Sequence, residues 1–198
     1  EEKSTMKIIV TGGAGFIGGN FVHYMLDRHP EDEISCVDCL TYAGNMETLA
    51  SVMDNPKFQF EKLDITDREG IYGLFEREHP DIVVNFAAES HVDRSITNPQ
   101  LFLETNILGT QNILNCAKIA WTTGTDQEGY PTYRSGKKYL QVSTDEVYGS
   151  LEDDGTYFYE TTPYAPHSPY SASKASSDML VKAYIDTYHF PANITNCS

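Results

Sequence analysis

The stretch TGGAGFIG, residues 11–18, decides the fold of this chain. It follows a short apolar run, Lys7 to Thr11, and it opens a segment whose apolar residues recur at helical spacing, at Ile17, Phe21 and Met25. Glycine permits a tight turn, lets backbone N–H groups approach an anion and lets the helix pack close to the strand. The positive end of the helix dipole attracts the same anion. The stretch therefore predicts a strand, a turn and a helix that bind the pyrophosphate of a dinucleotide.

An acidic residue at the end of the next apolar run refines this prediction. Asp38 stands twenty residues beyond Gly18. A carboxylate at this position accepts hydrogen bonds from a ribose diol and repels a 2′-phosphate. The sequence therefore favours NAD over NADP as the cofactor.

Short apolar runs alternate with helical patterns along the rest of the chain. Runs typical of strands cover residues 7–11, 33–37, 58–63, 82–87, 139–143 and 193–197. They are nearly continuous in apolar residues, as expected for strands that are buried on both faces. Asn98-Pro99 and Ser168-Pro169 each place a capping side chain before a proline, which predicts the starts of two long helices. The alternation predicts a Rossmann-like doubly wound parallel sheet with helices on both faces.

Composition limits the classes of partner. Of 198 residues, 14 are Lys or Arg and 29 are Asp or Glu, which gives a formal net charge of −15. This charge disfavours binding to nucleic acid or to an anionic membrane surface. No run reaches membrane-spanning length, and the four cysteines show no zinc spacing, so the sequence predicts no metal site and a cytoplasmic protein. Residues 1–5 are expected to be a polar leader, residues 6–198 to form the NAD-binding domain, and residues 121–137 to be a surface insertion.

Two further motifs indicate chemistry. VSTDEVYG, residues 142–149, ends a predicted strand with Thr144, Asp145 and Glu146, and exposed ends of strands in such sheets are where ligands bind. Tyr170 and Lys174 lie four residues apart at the start of the second long helix, so both side chains project from one face. An ammonium beside a phenol lowers the pKa of the phenol, which makes the tyrosine a usable base.

Several motifs together resemble the extended short-chain dehydrogenase/reductase family, in the branch that acts on nucleotide sugars. They are TGGAGFIG (11–18), VDCLTYAGN (37–45), FAAESHVDRSI (86–96), STDEVYG (143–149) and YSASK (170–174). The resemblance is greatest to the 4,6-dehydratases of this branch. Its most discriminating part is Thr144-Asp145-Glu146, because elimination of water needs an acid and a base together and two neighbouring carboxylates can supply them. It implies a homodimer that pairs residues of about 99–119 and 169–188, and a nucleotide-diphosphate sugar as substrate, with dTDP-glucose as the expected example. It also implies that members of the family have a smaller C-terminal domain, which these 198 residues do not include.

The resemblance also implies roles for individual residues. Tyr170 would remove the proton of the sugar C4 hydroxyl, Thr144 would bind that hydroxyl, and Lys174 would hold the nicotinamide ribose. Glu146 would take the C5 proton and Asp145 would protonate the departing C6 hydroxyl. The predicted NAD site comprises Gly12, Gly15, Phe16, Ile17, Gly18, Asp38, Cys39, Leu40, Thr41, Asp64, Ile65, Ala87, Ala88, Ser90, Thr105, Tyr170 and Lys174, and Ser90 and Thr144 are also predicted to contact the sugar.

Some alternatives stay open at this point. A 4-epimerase or a decarboxylase of the same family is the nearest rival, although Asp145 argues against both. A non-catalytic NAD-binding module is the rival from another class. His91, Asp93 and Arg94 either line the site or form a salt bridge that stabilises a loop, and Leu101, Ile107, Met179 and Tyr184 are candidates for core or interface.

Overall fold

A parallel β-sheet is the framework of the computed structural model, which describes residues 5–151 and 155–197. In chain order the strands are β1 (Lys7–Thr11), β2 (Glu33–Asp38), β3 (Phe58–Lys62), β4 (Ile82–Asn85), β5 (Thr122–Thr125), β6 (Pro131–Tyr133), β7 (Lys138–Thr144) and β8 (Ala192–Cys197). The main sheet has the order β3-β2-β1-β4-β7-β8, and all its neighbouring strands are parallel. The predicted doubly wound sheet is confirmed. Of the predicted leader, only Thr5 lies within the described residues, where it is exposed and without regular structure.

Both faces of this sheet are covered. Alternate residues of β1 enter two different clusters of buried apolar side chains, Ile9 in one and Ile8 and Val10 in the other. Neighbouring residues of a strand point to opposite faces, so the two clusters are the two layers of core on either side of the sheet. The strand order reverses between β1 and β4, which opens a crevice at the carboxyl ends of these strands.

Helices supply the outer layers. They are α1 (Phe16–Arg28), α2 (Arg68–Glu78), α3 (Val92–Thr97), α4 (Pro99–Phe102), α5 (Thr110–Trp121) and α6 (Pro169–Tyr188), with 3₁₀ helices at Met46–Val52 and Asp145–Tyr148. The buried residues of α1 include Gly18, Val22 and Leu26, so its inner face lies one residue along from the predicted apolar spacing. Across the described residues, none of these helices is both long enough and apolar enough to cross a bilayer.

The two helix starts that the sequence predicted differ in the structure. Ser168 caps α6 as expected. Its hydroxyl accepts a hydrogen bond from the Ser171 backbone N–H, and the Ser171 hydroxyl accepts one from the Ser168 backbone N–H. Asn98 makes no side-chain cap hydrogen bond, so that part of the prediction is wrong. The reason is that Asn98 also ends α3, where its backbone N–H is bonded to the Arg94 carbonyl at 2.8 Å. Its backbone is therefore fixed by the helix that precedes it.

The predicted long helix from residue 99 is also interrupted. Between α4 and α5, residues Leu103–Gly109 form a π-helix. Such segments are frequent at functional sites. Here the segment contains Asn106, which is 2% exposed and is bonded to two other parts of the chain.

The predicted surface insertion is a β-hairpin. Strands β5 and β6 pair in antiparallel fashion, and the residues of β5 are exposed. The hairpin is fixed at its base by Trp121, whose ring stacks on Phe190 with centroids 5.5 Å apart and whose Nε1–H donates to the Pro80 carbonyl at 2.8 Å. The insertion is therefore a structured extension of the fold, anchored away from the carboxyl ends of the main strands.

Candidate active site

A cleft of about 400 Å³ lies at the carboxyl ends of the parallel strands. It begins at the turn between β1 and α1 and extends to the N-terminal part of α6. Its lining residues are Gly12, Gly15, Phe16, Ile17, Gly18, Val37, Asp38, Cys39, Thr41, Ala43, Gly44, Leu63, Asp64, Ile65, Phe86, Ala87, Ala88, Glu89, Ser90, Leu101, Thr105, Val142, Ser143, Tyr170 and Lys174. The cleft therefore joins the two regions to which the sequence assigned cofactor binding and catalysis.

The glycine turn forms one wall of this cleft by close backbone packing. Gly12 has φ of +70°, and a Cβ atom there would lie 2.6 Å from the backbone nitrogen of Ala87. A Cβ atom at Gly18 would collide with the backbone of Gly12 and Gly13. Gly15 caps α1 without a side-chain hydrogen bond, and the first turn of that helix carries no acidic residue. The helix N-terminus is therefore open to an anion in the cleft.

Asp38 stands beside this turn with its carboxylate already oriented. One oxygen, Oδ2, accepts from the backbone N–H of Ala14 at 3.0 Å, and the other, Oδ1, accepts from that of Leu40 at 2.8 Å. A carboxylate has about four lone-pair sites, so it can accept further hydrogen bonds from a diol. Leu40 itself does not line the cleft, because its side chain packs against the core and its backbone has φ of +57°.

The opposite wall follows β4 and is held by the π-helix. Asn106 accepts from the Glu89 backbone N–H at 2.8 Å and donates to the Glu89 carbonyl at 2.9 Å and to the Ser173 hydroxyl at 2.8 Å. It thereby ties the loop that follows β4 to α6. The Glu89 side chain is 4% exposed, and its Oε2 has no hydrogen-bond partner among the described residues. Burial raises the pKa of this carboxyl, and the charge of Arg94 partly opposes the shift.

The loops outside the cleft are joined by an aromatic contact. The guanidinium carbon of Arg94 lies 4.0 Å from the centroid of the Tyr42 ring, and the Tyr42 hydroxyl accepts from the His91 backbone N–H at 3.2 Å. His91, Asp93 and Arg94 do not line the cleft. Of the two roles left open for these residues, the contact of Arg94 fits the stabilisation of a loop, and within the described part of the chain it is a cation–π contact and not a salt bridge.

The Thr-Asp-Glu segment forms an ordered turn directly after β7. The Thr144 hydroxyl accepts from the Glu146 backbone N–H at 3.2 Å and thereby caps the 3₁₀ helix that begins at Asp145. Thr144 Oγ1 also donates to Asp145 Oδ1 at 3.2 Å. Buried Val147 anchors the turn, and its carbonyl accepts from the Ala165 backbone N–H at 2.9 Å. The turn therefore holds the two carboxylates at the strand end without burying them fully.

Tyr170 and Lys174 face the cleft from α6, as their spacing predicted, but their proton affinities differ from the expectation. Burial, followed by the charges of Glu146 and Asp145, raises the pKa of Tyr170 to about 12, and Thr144 opposes the shift through a hydrogen bond. The pKa of Tyr170 is thus raised and not lowered as predicted, and Lys174 Nζ donates to the Val142 carbonyl at 2.7 Å. Burial lowers the pKa of Lys174 itself to about 8, against the charge of Asp178.

The sequence model of the family described as GDP-mannose 4,6-dehydratase matches residues 9–198. The chain belongs to this family. A dTDP-glucose 4,6-dehydratase of Neisseria meningitidis serogroup B is 50% identical over 192 residues, which cover 97% of this chain and 52% of the relative. The chain spans about half the length of the curated relatives it matches.

Solved structures agree with this membership. A dTDP-glucose 4,6-dehydratase of Streptomyces venezuelae, crystallised with NAD, has a TM-score of 0.84 and 43% identity, and the match covers 97% of this chain and 55% of that one. A UDP-glucose 4-epimerase of Thermus thermophilus, in complex with NAD, has a TM-score of 0.79 and 30% identity, with 96% and 54% covered. The resemblance to nucleotide-sugar enzymes that the sequence indicated is therefore confirmed.

Within this family member, the predicted cofactor residues other than Leu40 line a single cleft, together with Tyr170 and Lys174. Thr144, Asp145 and Glu146 are not among the lining residues but lie close enough to Tyr170 to alter its pKa. The sequence reasoning missed Val37, Ala43, Gly44, Leu63, Phe86, Glu89, Val142 and Ser143, and it treated Leu101 only as a core or interface position. Most of these residues are neighbours in sequence of a predicted residue at a strand end. A prediction that included the one or two neighbours of each such residue would have contained them.

Proposed function

We propose that residues 6–198 form the NAD-binding and catalytic portion of a nucleotide-sugar 4,6-dehydratase, with dTDP-glucose as substrate. The observation that supports this most is the turn after β7. It orders a hydroxyl and two carboxylates beside Tyr170, whose pKa responds to both charges and to the Thr144 hydroxyl. Transfer of hydride alone needs no such pair, whereas elimination of water needs an acid and a base together.

The cleft fits NAD in shape and in donor set. Gly12 and Gly18 leave no room for a Cβ atom, and the turn presents the open N-terminus of α1, where the pyrophosphate would lie. Asp38 would accept the hydroxyls of the adenosine ribose, and Lys174 would bind those of the nicotinamide ribose. NAD also accompanies the related enzymes of Streptomyces venezuelae and Thermus thermophilus in their crystals.

Three residues would carry the first step. The Thr144 hydroxyl would bind the C4 hydroxyl of the sugar, and Tyr170 would accept its proton. When bound, NAD would supply the hydride acceptor for C4 and a positive charge. Near the phenol such a charge would lower the pKa of Tyr170, which burial and the neighbouring carboxylates otherwise raise to about 12.

The two carboxylates would carry the elimination. A ketone at C4 acidifies the C5 proton, which Glu146 would remove. Asp145 would give its proton to the departing C6 hydroxyl, so that water leaves. The hydride taken from C4 would then return to C6 and Glu146 would return its proton to C5, which gives the 4-keto-6-deoxy sugar without net oxidation or reduction. Glu146 is exposed and Asp145 is partly exposed, so both can exchange protons with solvent between turnovers.

We further propose that two copies of the chain associate through the π-helical segment and α6. A groove between these elements is lined by Ile107, Ala172, Met179 and Leu180, and Met179 is 55% exposed. Sedimentation of the protein at increasing concentration tests this, with Met179→Glu expected to yield monomers. A wild-type protein that sediments as a monomer at all concentrations contradicts it.

The function is tested with a chimera. Residues 1–198 are joined to the C-terminal part of the Neisseria meningitidis relative that this chain does not match. The chimera is given NAD and dTDP-glucose, and the product is analysed by mass spectrometry. Loss of one water without net formation of NADH is the expected result. A product of unchanged mass indicates a 4-epimerase, and NAD binding without any product indicates a binding module. In a parallel assay with the corresponding uronic acid, loss of carbon dioxide indicates a decarboxylase.

A double variant tests the roles of the carboxylates. Asp145→Asn with Glu146→Gln keeps both side-chain shapes and leaves Tyr170, Thr144 and Lys174 in place. The chimera that carries it is expected to form NADH, seen by its absorbance, and to stall before water is lost. Dehydration at the unmodified rate contradicts the assignment of Asp145 and Glu146.

A further inference from the structure

Asp178 is a buried carboxylate that the proposed reaction does not use. It lies on α6 and is 1% exposed. Its Oδ2 accepts from the Ser143 hydroxyl at 2.5 Å and from the Tyr164 hydroxyl at 3.2 Å. Its Oδ1 is buried without a hydrogen-bond partner among the described residues. A buried carboxylate is costly unless a positive charge compensates it, so its position calls for an explanation.

The explanation lies one helical turn earlier. Tyr170, Lys174 and Asp178 follow one another at intervals of four residues and are all buried, so they form a row along one face of α6. Lys174 is 4% exposed, and the one hydrogen bond it shows within the described residues goes to the neutral carbonyl of Val142. An ammonium in such surroundings loses its proton easily unless an anion stands near it. Asp178 is the carboxylate whose charge raises the pKa of Lys174.

Other groups surround this pair. Cys197 on β8 also raises the pKa of Lys174. Burial raises the pKa of Asp178, and Ser143, the charge of Lys174, Tyr164 and Asn196 on β8 oppose that shift. The phenols whose pKa Asp178 raises come from β7, from the turn after it, from the loop before α6 and from α6 itself; they are Tyr139, Tyr148, Tyr164 and Tyr170. Among these groups, Lys174 carries the positive charge. Asp178 and Lys174 therefore compensate one another inside the protein.

We propose that Asp178 is a positioning residue whose carboxylate keeps Lys174 protonated beside Tyr170, so that the lysine holds its charge near neutral pH in a buried site. The consequence for catalysis rests on the proposed function, because it is there that Lys174 must be charged to bind a ribose and to assist Tyr170. The electrostatic coupling itself does not depend on that function.

The test is a titration of the lysine signals by NMR in protein labelled with ¹³C at lysine Cε, in the absence of NAD and sugar. Lys174→Met identifies the Lys174 signal. Asp178→Asn removes the charge but keeps an oxygen that can accept from Ser143 and Tyr164. We expect this variant to lower the pKa of Lys174 by about one unit or more, which is a tenfold change in its acid dissociation constant.

Two control variants separate charge from structure. Asp186→Asn makes the same change on the same helix, at an exposed residue paired with Lys182 at 3.3 Å. It is expected to leave the pKa of Lys174 unchanged. Tyr164→Phe removes a hydrogen-bond donor to Asp178 but leaves the charge of Asp178 in place. It is expected to shift the pKa of Lys174 far less than Asp178→Asn does. A Lys174 pKa in Asp178→Asn that equals that of the unmodified protein overturns the proposal.

A reciprocal measurement covers the case in which Asp178→Asn does not fold. Coupling between two groups is mutual, so Lys174→Met should raise the pKa of Asp178, followed by its carboxyl ¹³C signal, by a similar amount. An unchanged Asp178 pKa in that variant also overturns the proposal. Since neither titration requires turnover, a failure here leaves the dehydratase proposal standing, and a failure of the chimera assay leaves the coupling standing.

Discussion

The two walls of the cleft are built on different physical principles. The glycine wall, Gly12–Gly18 with Asp38, relies on close backbone contact, and the Asp38 carboxylate accepts from two backbone N–H groups. The charged wall consists of the lining residues Glu89, Tyr170 and Lys174, together with Asp145, Glu146 and Asp178, which do not line the cleft but shift the pKa of Tyr170 or Lys174. It brings titratable groups together, and Glu89 and Asp178 each bury an oxygen that has no partner among the described residues. One wall therefore fixes a shape and the other adjusts proton affinities, so they should respond to different kinds of substitution.

The largest effect is expected from a single methyl group on the glycine wall. In Gly18→Ala the new Cβ meets the Gly12 carbonyl and the Gly13 Cα, which are backbone atoms that cannot move independently. We expect a loss of about 3 kcal/mol or more in the free energy of unfolding, measured with urea.

Gly73→Ala is the matched control for that substitution. Gly73 lies on α2, and a Cβ atom there meets nothing within 4 Å. Because alanine favours the helix, this variant should gain about 0.5–1 kcal/mol. Equal stability of the two variants would show that the glycine wall does not depend on close packing.

The next largest loss of stability is expected from the hydrogen bonds of Asn106, which join Glu89 to Ser173 on α6. Asn106→Ala removes three hydrogen bonds and leaves the backbone N–H and C=O of Glu89 without partners. We expect unfolding to become easier by about 2–3 kcal/mol. Asn20→Ala, which removes one exposed hydrogen bond to the Phe16 carbonyl, should change stability by about 0.5 kcal/mol or less. If both variants lose the same amount, the π-helix has no special role in holding the charged wall.

A substitution on the charged wall should stabilise the fold. Burial raises the pKa of Glu89, so the folded chain holds a proton there more tightly than the unfolded chain. The stability that this group contributes is complete below the unfolded pKa and is lost as the pH rises through the folded pKa. Glu89→Gln removes this loss, and we expect a gain of about 1–2 kcal/mol near pH ~8 that disappears near pH ~4.

The measurement for Glu89 is thermal unfolding of both proteins across this pH range. Glu76→Gln, at an exposed position on α2, serves as the control and should follow the unmodified protein throughout. A Glu89→Gln variant whose stability differs from the unmodified protein by the same amount at every pH would mean that the effect is one of packing and not of charge.

The same comparison explains what the sequence could predict. The glycine turn and Asp38 follow from local rules on backbone and spacing, and the structure places them together in the cleft. The raised pKa of Tyr170 could not be predicted from its spacing to Lys174, because it sums burial and the charges of Glu146, Asp145 and Asp178, which only the fold brings together. The π-helix around Asn106 escaped for a similar reason, since its partners are distant in sequence.

The smallest effect is expected where the sequence pattern was the same and the structure differed. Ser168 caps α6, the helix that carries most of the charged wall, with a reciprocal bond to Ser171, whereas Asn98 makes no side-chain cap hydrogen bond. Ser168→Ala should cost about 1 kcal/mol in urea unfolding, and Asn98→Ala should cost almost nothing, because no capping bond is lost. If the two variants lose the same amount, the sequence pattern and not the observed hydrogen bond determines the cap. If only Ser168→Ala is destabilised, the observed hydrogen bonds of Ser168 stabilise the start of α6, the helix that carries Tyr170, Lys174 and Asp178.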